Sequence, residues 1–328
     1  MKLKNMLFAA LGWMVAGSPA WAFEFGSPGF AQQGGLTFGA SAATPPPGLY
    51  MFNQAMTYQA NLAGPGTRLT GTNTGVQAAA GATGLVWIPG WTFLGGTYGA
   101  VLVQGGIMDS VGSPFNVQQS GLHNTFIIPA ELSWRLGDSG FFVKTGLGMY
   151  VPTGTQTGVN GLGNVGAPWW TFQPEIFVSY IKDGWNITSN IFAEFNTRNT
   201  ITQYQSGDIL HAEFAATKRI GQWSVGPVAY YIGQVTNDKS SAFYGNAINV
   251  NRYNIWAVGA LVGYDFGPAA LNVWATNEIV ANASGGMPVA GIDTATVAKG
   301  FKVFATLSYR IWAPDEPSQT PKLSTYHK

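Results

Sequence analysis

Between Leu49 and Trp312, apolar and polar side chains alternate in twelve segments of roughly a dozen residues each. A period of two is the signature of strands with one apolar and one polar face. The pattern predicts strands over 48–62, 74–88, 92–104, 123–136, 140–152, 168–181, 185–196, 208–220, 223–235, 253–266, 269–281 and 300–312. In the sixth, Trp170, Phe172, Ile176, Val178 and Tyr180 share one face, and Thr171, Gln173, Glu175 and Ser179 the other. The last sets Phe301, Val303, Ala305, Leu307, Tyr309 and Ile311 against Lys302, Thr306, Ser308 and Arg310. Segments 2, 3 and 11 are rich in Ala and Gly and alternate less clearly.

The links between these segments are alternately short and long. Pro89-Gly90-Trp91, Gly137-Asp138-Ser139, Lys182-Asp183-Gly184, Gly221-Gln222 and Gly267-Pro268 are the short ones. Long links rich in Gly, Asn, Ser and Thr lie around 63–74, 105–122, 153–167, 197–207, 236–252 and 282–299. Alternation alone also suits a sheet packed on a soluble core. Short turns at one end and long loops at the other match a transmembrane barrel, in which closure of the sheet satisfies every backbone group inside lipid. The expected fold is all-β: a transmembrane antiparallel β-barrel of about 12 strands, with short periplasmic turns and long extracellular loops. An even strand number starting at the periplasmic side leaves both termini there. Trp87, Trp91, Trp134, Trp185, Trp223 and Trp312 come from different segments yet all fall near the short-turn end. That is where an interfacial aromatic girdle belongs.

Composition agrees with a surface that faces lipid. Charged residues make up 9% of the chain, against about 25% in ordinary soluble domains. Lys2 and Lys4, the apolar run Met6 to Ala16 and Ala20-Trp21-Ala22 read as a signal peptide over 1–22. Its removal takes away two lysines and no acid, leaving 14 basic against 15 acidic side chains. Such a balance gives no field for nucleic acid. Without cysteine there is no disulfide and no thiolate ligand. Residues 23–47 show no sustained alternation and end in Pro45-Pro46-Pro47, which cannot donate to a ladder. They are expected to form either a periplasmic leader or a plug inside the lumen. The barrel is expected over 48–312, and residues 313–328 as a disordered periplasmic tail.

Pro45-Pro46-Pro47-Gly48-Leu49-Tyr50, leading into a strand with Asn53 and Tyr58, resembles the opening of outer-membrane proteins grouped under the meta-pathway of phenol degradation. Glu24-Phe25-Gly26 is similar to that family's acidic-glycine start, and Gly146 to Gly154, ending in Val151-Pro152-Thr153-Gly154, looks like the family too. The resemblance covers about 23–312. It implies an outer-membrane barrel that passes aromatic or other hydrophobic compounds, and it transfers no catalytic residues. The tail after Trp312 departs from the aromatic C-terminus common among outer-membrane proteins, which bears on recognition by the barrel-insertion machinery.

By parity the lumen receives Phe142, Phe177, Phe192 and Tyr230, with Glu131, Glu175, Glu194 and Glu213 near mid-height. Arg135, Lys144, Arg219 and Arg310 lie toward the periplasmic end. Charges at this depth either pair and brace the wall or help select what passes. Lumen aromatics offer contact to ring-bearing solutes. Hydrolytic chemistry needs a histidine close to a nucleophile. His327 lies in the tail and His123 near a loop, leaving His211, which faces inward beside Glu213 without a serine motif. His211 and Glu213 are two ligands where zinc needs three or four. No catalytic, cofactor or metal site is therefore expected. The partners are outer-membrane lipids and a small hydrophobic or aromatic solute. The expected function is passive uptake of such compounds through the bacterial outer membrane; a narrow channel for small polar solutes is the alternative, ahead of an outer-membrane enzyme or a purely structural barrel.

Overall fold

The computed structural model describes Glu24 and residues 31–70, 73–158, 164–246, 250–286 and 289–314. The expected signal peptide and nearly all of the expected tail lie outside the described residues. The strands are β1 (Gly48–Ala63), β2 (Gly75–Ile88), β3 (Thr92–Phe93), β4 (Gly96–Val111), β5 (Val117–Leu122), β6 (Thr125–Arg135) and β7 (Phe141–Val151). They continue with β8 (Thr171–Lys182), β9 (Trp185–Asn196), β10 (Ile209–Ile220), β11 (Trp223–Gln234), β12 (Val250–Asp265), β13 (Ala269–Gly285) and β14 (Val297–Trp312). Among the described residues no helix is long and apolar enough to cross a membrane.

Antiparallel pairing runs from β6 neighbour by neighbour to β14, then to β1, β2 and β4, and β4 returns to β6. Twelve strands thus close a barrel with no free edge, as a strand structure in lipid requires. β3 and β5 stand outside the ring as short hairpin arms on β4.

Local chemistry explains the turns. Asp183 and Gly184 both have positive φ, at 52° and 75°, the backbone that a tight two-residue hairpin needs and that Asp-Gly supplies. The third segment differs from the sequence expectation of 92–104. Leu94 and Gly95, at φ 50° and 76°, close a small hairpin of Thr92–Phe93 on Gly96–Thr97. β4 then runs on to Val111 through residues expected to be loop. Gly105 and Gly106 break the side-chain alternation, but the ladder to β2 and β5 is made by backbone groups that need no side chain. β13 and β14 are likewise longer than expected at the long-loop end.

The faces follow parity. Phe172, Ile176 and Val178 of β8 are exposed on the outer surface, whereas Thr171, Gln173, Glu175 and Ser179 are buried inside. Trp87, Trp91, Trp185, Trp223 and Trp312 are exposed around the short-turn rim, and Trp87 meets Trp91 edge-on at 5.2 Å. By the rule for bacterial barrels that rim faces the periplasm.

The lumen is filled unevenly. A packed core of Met56, Tyr58, Ile209, Tyr230, Ile232, Leu261, Trp274 and Phe304 occupies the side of β1 and β10–β14. The side of β2–β8 holds a cavity instead.

Candidate functional site

Glu24 and residues 31–44 run inside the barrel, fastened to wall residues 91 to 220 positions away in sequence. At the long-loop end Glu24 accepts hydrogen bonds from Asn199 Nδ2 at 2.9 Å, Tyr244 Oη at 2.9 Å and Thr202 Oγ1. Lower down, the amides of Ala31 and Gln32 both donate to Glu194 at 2.9 Å. Those of Gly35 and Thr37 donate to Glu213 at 2.8 and 3.0 Å, joined by Thr37 Oγ1 at 2.6 Å. Ala42 donates to Ser179 Oγ and accepts from Ser133 Oγ. Tyr50 Oη reaches back to Pro46 O at 2.7 Å, where the segment turns into β1. Glu24 thus lies at the long-loop end, and residues 31–47 descend the lumen before β1 rises again. The wall carboxylates supply acceptors to a segment with no ladder of its own. Gly34 fits because a Cβ there would come within 2.5 Å of the Tyr230 ring.

The acidic band therefore does more than brace the wall. Glu194 and Glu213 accept five hydrogen bonds from the segment between them. Charged acceptors make stronger bonds than neutral ones. Glu131 instead pairs with Lys144 at 3.3 Å, and the Lys144 ammonium lies 4.4 Å above the Phe177 ring. Glu175 is buried on the same side of the lumen and lines the cavity with them. His211 is fully buried, stacked on Phe192 at 4.3 Å and 15°, with Nε2 3.0 Å from Glu194 Oε1 but not aligned for a hydrogen bond.

The arginines sit at the rim rather than in the lumen proper. Arg135 pairs with Asp138 at 2.9 Å and Arg219 with Asp265 at 2.8 Å, all four substantially exposed, and Arg310 is exposed. Phe142, half-buried near the same end, is outside the cavity lining. Tyr230 faces inward as parity requires, but its hydroxyl is bound to Glu278 at 2.7 Å.

That bond belongs to a cluster which the sequence reading did not single out. Lys302 and Glu278, both buried, pair at 2.9 Å. Glu278 also accepts from Tyr58 Oη at 2.6 Å and Gly300 N at 2.8 Å. Lys302 Nζ lies 4.7 Å from the Tyr58 ring centre. Parity of Trp274, Thr276 and Glu278 along β13 is the signal that would have found it.

The cavity has a volume of about 380 Å³. Ala80 and Ala82 of β2, Val101, Val103 and Ile107 of β4, Phe126 and Ile128 of β6, Phe177 of β8 and Phe304 of β14 line it, with Leu36 and Phe38 of the segment closing one side. Of the four aromatics expected in the lumen, Phe177 alone lines this space; Phe192 covers His211, and Tyr230 belongs to the packed side. A second cavity of about 360 Å³ lies at the short-turn end, lined by Lys182, Asp183, Asn186, Thr217, Arg219 and Ser224 among others.

At the long-loop end Asp238 is a buried carboxylate, as Glu24 is. Asp238 accepts from Tyr204 Oη at 2.5 Å, Gly207 N at 2.7 Å and Gln234 Nε2 at 2.8 Å. Burial pushes the Asp238 carboxyl up to about 7, against the opposing pull of those hydrogen bonds. Burial raises Glu24 as well, opposed by Thr202, Asn199 and Tyr244. The rings of Tyr204 and Tyr244 meet edge-on at 5.6 Å between the two acids.

Among solved structures, the fold is similar to an outer membrane channel from Pseudomonas putida F1, at 10% identity and a TM-score of 0.66, covering 85% of this chain and 99% of that one. The translocator domain of the autotransporter NalP from Neisseria meningitidis aligns at 10% identity and a TM-score of 0.45, over 82% of this chain and 90% of that one. No curated protein matches the chain in sequence. The model of the family described as "Putative MetA-pathway of phenol degradation" matches residues 59–284, about two-thirds of the chain, and the chain belongs to that family.

Proposed function

We propose that this barrel is a passive outer-membrane channel for small hydrophobic or aromatic compounds. The observation that carries this reading is the apolar chamber between the lumen segment and the small-residue wall of β2 and β4. Its volume lies in the range of small-molecule sites, and a cavity of about 150 Å³ already holds benzene. Burying about 150 Å² of a ring contributes roughly 4 kcal/mol before the costs of association. Phe126, Phe177 and Phe304 provide ring faces. In this reading the segment over 31–44 is the plug, Glu194 and Glu213 hold it, and no residue acts as a catalyst. The name of the Pseudomonas putida protein, an outer membrane channel, fits the same reading.

The vestibule at the short-turn end, where Lys182, Asp183 and Arg219 join Ile181, Trp185 and Leu261, supports the second reading, a narrow channel for small polar solutes. Uptake separates the two. Deleting the gene is expected to slow entry of a monoaromatic compound at low external concentration and to leave sugar entry unchanged. Unchanged aromatic entry with a loss of small polar permeability would favour the second reading.

A further inference from the structure

The apolar chamber and the short-turn vestibule meet at one contact, because Gly39 of the segment and Asn272 of β13 line both. Gly39 has φ +88°, a conformation that glycine adopts without the Cβ penalty. A Cβ built there would lie 2.8 Å from Asn272 Nδ2 and 3.4 Å from Asn272 Cβ. Gly263 of β12 also lacks a side chain, and a Cβ there would collide with Asn272 Oδ1. The Asn272 amide therefore fills the space left by two glycines, one in the wall and one in the segment. Beside this contact the segment is fixed by Phe38, whose ring meets Trp274 edge-on at 6.2 Å, while Trp274 stacks on Phe304 at 5.2 Å and 15°.

We propose that the Gly39–Asn272 contact is the partition between the chamber and the periplasmic vestibule, and that an apolar solute leaves for the periplasm when the segment moves off Asn272. This rests on the channel reading and adds to it the exit and the residue that closes it. Asn272 sets the passage by position: its amide offers a small polar lip between the two spaces, and it touches the segment where the segment has no side chain.

The cysteine-free chain permits a direct test. The 3.4 Å separation of the Cβ positions is close to the mean of about 3.8 Å found in disulfides. The full-length double variant Gly39→Cys/Asn272→Cys is expressed in cells lacking the native gene, and formation of the cross-link is read from gel mobility with and without reductant. Oxidised cells are expected to take up radiolabelled toluene at low concentration about tenfold more slowly than reduced ones, as for a locked lid. Dithiothreitol should restore the rate of the single-cysteine variants. A complete cross-link with undiminished uptake overturns the partition, as does failure of the pair to cross-link in folded barrels. If wild-type cells take up toluene no faster than cells without the protein, the channel reading itself fails, and this inference with it. Conductance in planar bilayers gives a second measure: Asn272→Ala should raise it about threefold by joining the two spaces, as removal of a gate does. Asn282→Ala, on the same strand but outside both cavity linings, should leave it unchanged. Equal conductance of Asn272→Ala and the wild type, or an equal rise in Asn282→Ala, overturns the partition.

Discussion

Replacing Glu213 with alanine is expected to release the lumen segment while leaving the barrel folded. Three donors lose their acceptor: Gly35 N at 2.8 Å, Thr37 N at 3.0 Å and Thr37 Oγ1 at 2.6 Å. Gly35 N is buried and costs about 1–3 kcal/mol when left unsatisfied, and the two part-buried Thr37 groups add less. At about 1.4 kcal/mol per factor of ten, the released fraction rises by about fivefold to a hundredfold or more. The wall is spared, because the β10 ladders to β9 and β11 are made by backbone groups. Single-channel recording in planar bilayers reads the release as higher conductance and longer open times. Unboiled mobility on gels checks that the barrel is intact. Glu213→Gln keeps one acceptor oxygen and should fall between alanine and the wild type. Asn282→Ala is the control, since that side chain bonds Asn254 and not the segment. Folded Glu213→Ala with wild-type conductance would refute the reasoning.

Phe177→Ala should lower low-concentration uptake of a monoaromatic several-fold, whereas Phe192→Ala, which removes only the cover on His211, should leave it unchanged; a radiolabel uptake assay compares them. Lys302→Met leaves Glu278 buried without its cation and should destabilise the barrel by about 3–5 kcal/mol, read as a lower temperature for loss of compact gel mobility. The outer loops should loosen with rising pH. Asp238 is protonated in the folded loops up to about pH 7, whereas in an unfolded chain it ionises near its ordinary value of 3.8. The folded form then binds more protons between these values, so loop stability falls as pH rises through that window and levels off above it. Amide exchange of residues 199–208 and 236–246 should therefore be faster at about pH 8 than at about pH 5 after correction for intrinsic rates, with the difference reduced in Asp238→Asn.

Much of the wall was legible in the sequence because the information is local. A strand in a closed barrel alternates lipid and lumen faces, so Phe172, Ile176 and Val178 against Gln173, Glu175 and Ser179 state both the strand and its sides. Glycine turns and the tryptophan rim add height. What fills the lumen was not legible. Residues 31–44 have no period, and their partners, such as Glu194 and Glu213, are set by the three-dimensional path. Parity places Phe177, Phe192 and Tyr230 inside but cannot say that two of them are covered and one faces open space. The upper half of β4 escaped notice because Gly105 and Gly106 carry no pattern, although their backbone pairs as well as any other.

Filling the chamber tests most directly whether it is the route. Ala82 lines it, and Ala82→Trp would place an indole in the space otherwise open to solute. Uptake of a radiolabelled monoaromatic at low external concentration is compared in cells carrying the wild type, Ala82→Trp or no protein, with barrel folding checked by gel mobility. A chamber that conducts solute predicts that folded Ala82→Trp falls to the level of cells without the protein. Uptake by folded Ala82→Trp equal to the wild type would contradict it.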